Sequence, residues 1–279
     1  MESSSQPGII NRIAALLLPI VLLLLTSPVG LRNVEDAPIR HFRQHLARGG
    51  PIVLAAPPAN PISAMDRPRP NHGASIRYSP GPQIGPTEGY SFAGRTDPQI
   101  ARDLLLMAGI GERTISDGFE KLWDRYTTLL VDEFRRITAT VYPGVHEILD
   151  RLGAAAETSV LGLLTGNVME GARLKLASAG IDFDRFLVGA YGSDHHDRKE
   201  LPEVAITRAE EKMGRRFGGK EVVIIGDTPF DISCGEHLGV RTIAVATGTF
   251  AADQLAPCGP DYLFEDLSDI EAVWEAIFS

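Results

Sequence analysis

From residue 141 to the end of the chain, short apolar runs alternate with amphipathic stretches, and this alternation restricts the possible folds more than any other feature. Residues 221–225 (Glu-Val-Val-Ile-Ile) form a near-continuous apolar run, as expected of a strand covered on both sheet faces. Residues 159–164, 186–189, 241–246 and 262–264 read as further strands. Between them, residues 145–152, 171–179, 202–212 and 232–238 read as helices. Gly180 closes the second of these, and Pro202 lies in the first turn of the third. Ser268 and Glu271 have the spacing of a capping box for a last helix. Strand, helix, strand, helix in repetition predicts an α/β fold: a Rossmann-like parallel sheet with helices on both faces. Ligands of such sheets bind beyond the carboxyl ends of the strands, so the residues just after each strand are those to inspect.

Three strand ends carry chemistry. After residue 164 come Thr165, Gly166 and Asn167, then a helix: a hydroxyl and free backbone N–H groups, suited to a phosphate. A cap with a turn glycine would look the same. After residue 225 comes Gly226-Asp227-Thr228-Pro229-Phe230-Asp231, which places two carboxylates four residues apart at the sheet edge. Hard oxygen ligands of that kind suit Mg2+, which takes one or two carboxylates with waters and substrate phosphate. Helix capping by Asp227 and Asp231 is the competing reading. Between these sites, Asp197-Arg198-Lys199-Glu200-Leu201-Pro202 opens a helix, and either Arg198 or Lys199 could supply a cation for a phosphoryl group.

The upstream half is different. Residues 115–137 place apolar side chains at steps of three and four, one buried helical face. Asp97-Pro98 opens a shorter helix, with Asp97 read as its N-cap. Together these predict a small helical unit over residues 89–138, ahead of an α/β core over 139–279. Nine of the 19 prolines fall between Pro51 and Tyr90, so residues 46–88 cannot sustain helices or central strands and read as a linker. Residues 13–25 are apolar and uncharged, inside a leader spanning 1–45. That run is short for a membrane span and contains Pro19, which leaves a cytoplasmic protein or one anchored through residues 13–31. The net charge of −9 argues against a nucleic-acid surface. Cys234 and Cys258 are too few for a disulfide framework and lack metal-ligand spacing. No Gly-x-Gly-x-x-Gly follows a strand, which disfavours a dinucleotide-binding oxidoreductase.

Taken in order, Thr165, the Arg198/Lys199 cation and the Asp227/Asp231 turn resemble motifs two, three and four of the haloacid-dehalogenase-like (HAD-like) hydrolases, the phosphoglycolate-phosphatase-like subgroup above all. Tyr142-Pro143-Gly144-Val145 looks like that family's return to the core after its cap, and Gly94-Arg95-Thr96-Asp97 with the following helices looks like the remainder of the cap. The resemblance runs from about Tyr90 to the end. It implies a Mg2+-dependent phosphate monoester hydrolase acting on a small phosphorylated metabolite. Thr165, with Gly166 and Asn167, would bind the phosphoryl group, Asp227 would hold Mg2+ with Asp231 in support, and Lys199 or Arg198 would provide the cation.

The family's nucleophile and general acid come from an Asp-x-Asp directly after the first core strand. The strand-like run in that place is residues 52–55, and it is followed by Ala56-Pro57-Pro58. Ala56 then stands where the nucleophile belongs and Pro58 where the acid belongs, and neither side chain can do that chemistry. Two readings follow. Either the stretch before Tyr90 is foreign to an ordinary phosphatase, or the protein is an inactive relative that binds a phosphorylated ligand or a partner.

Overall fold

The computed structural model describes residues 52–55, 90–134, 139, 141–156 and 159–279. The apolar leader and, apart from residues 52–55, the proline-rich stretch lie outside the described residues; contrary to the linker reading, 52–55 form an inner strand of the sheet, because this short apolar run carries no proline. In chain order the elements are β1 (Ile52–Ala55), α1 (Asp97–Met107), α2 (Glu112–Phe134), α3 (Val145–Ala154), β2 (Val160–Thr165), α4 (Met169–Ser178), β3 (Val188–Tyr191), α5 (Leu201–Met213), β4 (Val222–Gly226), α6 (Pro229–Ser233), β5 (Arg241–Val245), α7 (Ala252–Leu255), β6 (Tyr262–Phe264) and α8 (Ile270–Phe278). The six strands form one sheet in the order β3-β2-β1-β4-β5-β6, and every pairing is parallel. This is the expected α/β architecture.

Side chains alternate across a strand, so each strand serves two cores. Val53, Leu161, Leu163, Val223, Ile225 and Ile243 face one side, under α3, α4 and α8. Ile52, Leu54, Val160, Leu164, Val222 and Ile224 face the other, under α5. Each fully buried Ile or Leu contributes about 1.5–3 kcal/mol, and buried polar residues enter the strands only near their ends, Thr165 in β2 and Arg241 and Thr242 in β5. The face under α3 is not filled. An apolar cavity of about 110 Å³ reaches from Val53 and Ala55 past Leu149 to Asp227 and Thr247.

Helices α1 and α2 bury their own cluster, with Ile100, Leu104, Leu105, Ile115, Leu122, Tyr126 and Leu130 closing on Val168 at the head of α4. Among the described residues no helix is long and apolar enough to cross a membrane.

Several boundaries depart from the sequence reading, each for a local reason. Thr96, not Asp97, caps α1: its hydroxyl accepts from the Gln99 N–H at 3.1 Å, with Pro98 in the first turn. The helix read from residue 115 begins at Glu112. β3 covers Val188–Tyr191 rather than 186–189, because a 3-10 turn at Phe183–Arg185 precedes it and Phe186 closes that turn. The helix expected over 232–238 is α6 followed by a separate turn at Glu236–Leu238. Thr228 and Pro229 start it three residues early, and Gly235 stands between the two pieces. Asp269 caps α8 by accepting from the Ala272 N–H at 3.2 Å. Ser268 turns instead to Asp266, and Glu271 pairs with Arg151 at 2.7 Å.

Candidate active site

The register of the sheet places the site. Ala55 pairs with Leu163 on one side and with Ile225 on the other. Thr165 lies two residues beyond Leu163, and Asp227 lies two residues beyond Ile225. They therefore flank the chain leaving β1 at one height, about 10 Å apart at a strand spacing of about 4.8 Å. Strand β1 points between them.

The β2 end is a tight loop. Thr165 is buried, and its hydroxyl both accepts from the Asn167 N–H at 3.2 Å and donates to the Asn167 side-chain oxygen at 3.3 Å. Gly166 is needed for close approach: a Cβ there would come within 2.5 Å of the Arg95 carbonyl oxygen. The Gly192 N–H donates to the Asn167 carbonyl at 2.8 Å, tying this loop to the one after β3.

The β4 end centres on Asp231. Its Oδ2 accepts from the Asp227 N–H (3.2 Å), the Thr228 N–H (3.0 Å) and the Thr228 hydroxyl (2.7 Å). The Thr228 hydroxyl accepts in turn from the Asp231 N–H, which completes a capping box on α6. Oδ1 of Asp231 pairs with Arg198. Both partners are buried, the Arg198 side chain at 10% exposure and that of Asp231 at 2%. Burial works against the charge on Arg198, but Asp231 and Asp227 outweigh it and hold its pKa above the ordinary arginine value. Among the described residues the Nε of Arg198 has no hydrogen-bond partner. Lys199 is exposed, and its backbone N–H donates to Asp197 at 3.0 Å. Of the two cations the sequence left open, the structure brings Arg198 to the acidic turn and leaves Lys199 outside.

Asp227 is 2% exposed, and a Cβ on Gly248 would overlap its carboxylate. Asp231 acts as the brace of the turn, with both oxygens occupied. That arrangement fits the capping alternative for Asp231. Among the described residues no three His, Cys, Asp or Glu side chains gather to hold a metal ion. By itself this donor set falls short of a complete Mg2+ site.

Two groups escaped the sequence reading. Asp97 is buried and accepts from the Val168 N–H (2.9 Å) and from the Asn167 side-chain amide (3.2 Å). Burial raises its pKa from the ordinary 3.8 to about 6, against the pull of those two donors and of Lys175. Lys175 on α4 is partly buried, and burial lowers its pKa although Asp227 and Asp97 both oppose the shift. The signal for Asp97 was present in Gly94-Arg95-Thr96-Asp97. For Lys175, a lone lysine on a helix, there was none.

The HAD-hydrolase-like family model matches residues 201–270, from α5 through the Gly226–Asp231 turn into α8. Over that segment the chain is similar to the HAD-like hydrolases. Pyrophosphatase PpaX of Bacillus velezensis is 30% identical over 133 residues, 47% of this chain and 58% of that protein. Pyrophosphatase PpaX of Oceanobacillus iheyensis is 26% identical over 161 residues, 55% of this chain and 72% of that protein. The chain thus spans less than two thirds of the first of these relatives. A solved hydrolase from Pseudomonas syringae superposes at a TM-score of 0.49 with 18% identity, over 67% of this chain and 80% of that one.

The sequence reading found no Asp-x-Asp for the nucleophile's place, but one stands elsewhere in the chain: Asp182-Phe183-Asp184. Both carboxylates are exposed in the turn before β3, at the amino end of the strands, and Asp182 caps the Asp184 N–H at 2.9 Å. The sheet separates it from Thr165 and Asp227, so it does not supply the missing nucleophile.

Proposed function

We propose that this chain carries the phosphate site of a HAD-like phosphate monoester hydrolase and that its own turnover is impaired. The observation that carries the reading is the placement of Thr165 and Asp227 at one height on either side of β1, with Arg198 joined to the same acidic turn. A phosphoryl group between them would meet Thr165 and the Arg198 guanidinium, with the positive end of the α4 dipole behind the loop. Asp227 would hold Mg2+, with waters and the phosphate completing the shell, and the metal would neutralise charge on the phosphoryl oxygens. Asp231 would fix Arg198 and Asp227 relative to each other.

The impairment is read from the sequence. Ala56 and Pro58 stand where attack and proton transfer need carboxylates. The substrate class is a small phosphorylated metabolite of the phosphoglycolate kind, and the naming of two relatives as pyrophosphatases adds inorganic pyrophosphate to the compounds to try. The same missing carboxylates support a second reading, a module that binds a phosphorylated ligand or partner without turning it over. The helical cap over 89–138 would select the ligand in either case.

The test is Mg2+-dependent hydrolysis of p-nitrophenyl phosphate by the full chain. The expected result is no turnover above buffer, together with a higher melting temperature in phosphate. Hydrolysis that disappears in Asp227→Ala would show that another group attacks phosphorus and would overturn the impairment.

A further inference from the structure

Thr96 and Asp97 are neighbours in sequence, yet they hold two different loops of the site. The Thr96 hydroxyl donates to the His196 carbonyl at 2.5 Å, two residues before Arg198. The Asp97 N–H donates to the Gly166 carbonyl at 2.7 Å, and the Asp97 carboxylate takes the Val168 N–H and the Asn167 amide. The β2 loop is thus gripped on three successive residues by one side chain and its own N–H, and the β3 loop is gripped at His196. Both residues are buried, and among the described residues no arginine compensates the charge of Asp97. A buried carboxylate hydrogen-bonded to neutral donors is costly, and helix α1 does not need it, since Thr96 already caps that helix.

We propose that Thr96-Asp97 is a clasp by which the first cap helix sets the shape of the Thr165–Val168 loop and its distance from Arg198, with Asp97 as a positioning residue. Its purpose rests on the phosphate-site reading, but the clasp itself does not. The Asp97 carboxylate takes up the Val168 N–H and orients the Asn167 side chain, whose Oδ1 in turn accepts from the Thr165 hydroxyl. Movement of α1 would then be felt at the phosphate loop.

The experiment is amide hydrogen exchange at residues 166–169 in the full-length chain, with affinity for inorganic phosphate measured in parallel. In Asp97→Asn an amide faces the Asn167 amide, and exchange at Val168 is expected to rise about 10-fold, a factor that corresponds to one lost hydrogen bond. The exchanged pair Asp97→Asn with Asn167→Asp restores complementary groups and is expected to return exchange to within about 3-fold of the parent. Unchanged exchange in Asp97→Asn, or no recovery in the exchanged pair, overturns the clasp. Should Asp97→Asn fail to fold, Asn167→Ala removes one of the two donors and leaves Asp97 in place. Exchange at Val168 should still quicken, and no change there overturns the proposal equally. A parent protein that shows the exchange pattern but never binds phosphate keeps the clasp and removes the phosphate-site reading.

Discussion

The β4 turn and the cap junction each bury a carboxylate, and they treat it in opposite ways. Asp231 receives an arginine and three further donors to its oxygens, one from its own capping box. Asp97 receives one backbone N–H and one side-chain amide, with Lys175 acting on it only as a charge. The first arrangement fixes a rigid turn at the end of β4. The second leaves a group whose charge the fold resists, and its pKa rises to about 6. Satisfaction of a buried carboxylate, rather than burial itself, decides whether it braces a structure or can respond to solution conditions.

The largest effect that would break this contrast lies at Arg198. Arg198→Met should destabilise the fold by about 3–5 kcal/mol, because it leaves Asp231 buried without its cation. Urea unfolding measures it, and a loss under about 1 kcal/mol would mean that the three other donors suffice. Next is the pH response of Asp97. A carboxyl whose folded pKa lies above its unfolded value stabilises the fold only while protonated. Its contribution is full below about pH 4 and is lost as the pH climbs through about 6. Stability should fall over that window by up to about 3 kcal/mol, the most that a rise from 3.8 to about 6 can supply. Asp97→Asn should flatten the profile, and a profile that keeps its slope would place the titration elsewhere.

Smaller effects sharpen the comparison. Thr228→Val removes the α6 cap and one donor to Asp231 and should cost about 1–2 kcal/mol by thermal unfolding. Ala55→Leu touches neither carboxylate. It fills part of the cavity beneath α3 and should stabilise by about 1 kcal/mol, read as a shift in the urea midpoint. A loss there would mean that the space closes in solution.

The sequence made the sheet legible because its strands are buried on both faces and read as unbroken apolar runs. The Gly226-Asp227 turn was legible because polar residues follow such a run abruptly. Residues 52–55 proved to be the central strand, although only four residues marked them. Asp97 was misread as a cap because local pattern cannot show that a hydroxyl one residue earlier does that work, nor that the carboxylate then reaches Asn167 and Val168 some 70 residues away. The choice between Arg198 and Lys199 was equally closed to sequence, since it depends on which side chain the 3-10 turn at Arg198–Glu200 points inward. Asp182-Phe183-Asp184 shows the converse: the right letters occur at the wrong end of the sheet.

The most direct measurement is titration calorimetry of the full chain with inorganic phosphate in the presence of Mg2+, for the parent and for Thr165→Val. The parent should bind, and Thr165→Val should lose at least about 10-fold in affinity, the worth of one hydrogen bond to a charged group, while its melting temperature stays close to the parent's. A parent that takes up no phosphate, or a variant that binds it equally well, would contradict a phosphate site at the ends of β2 and β4.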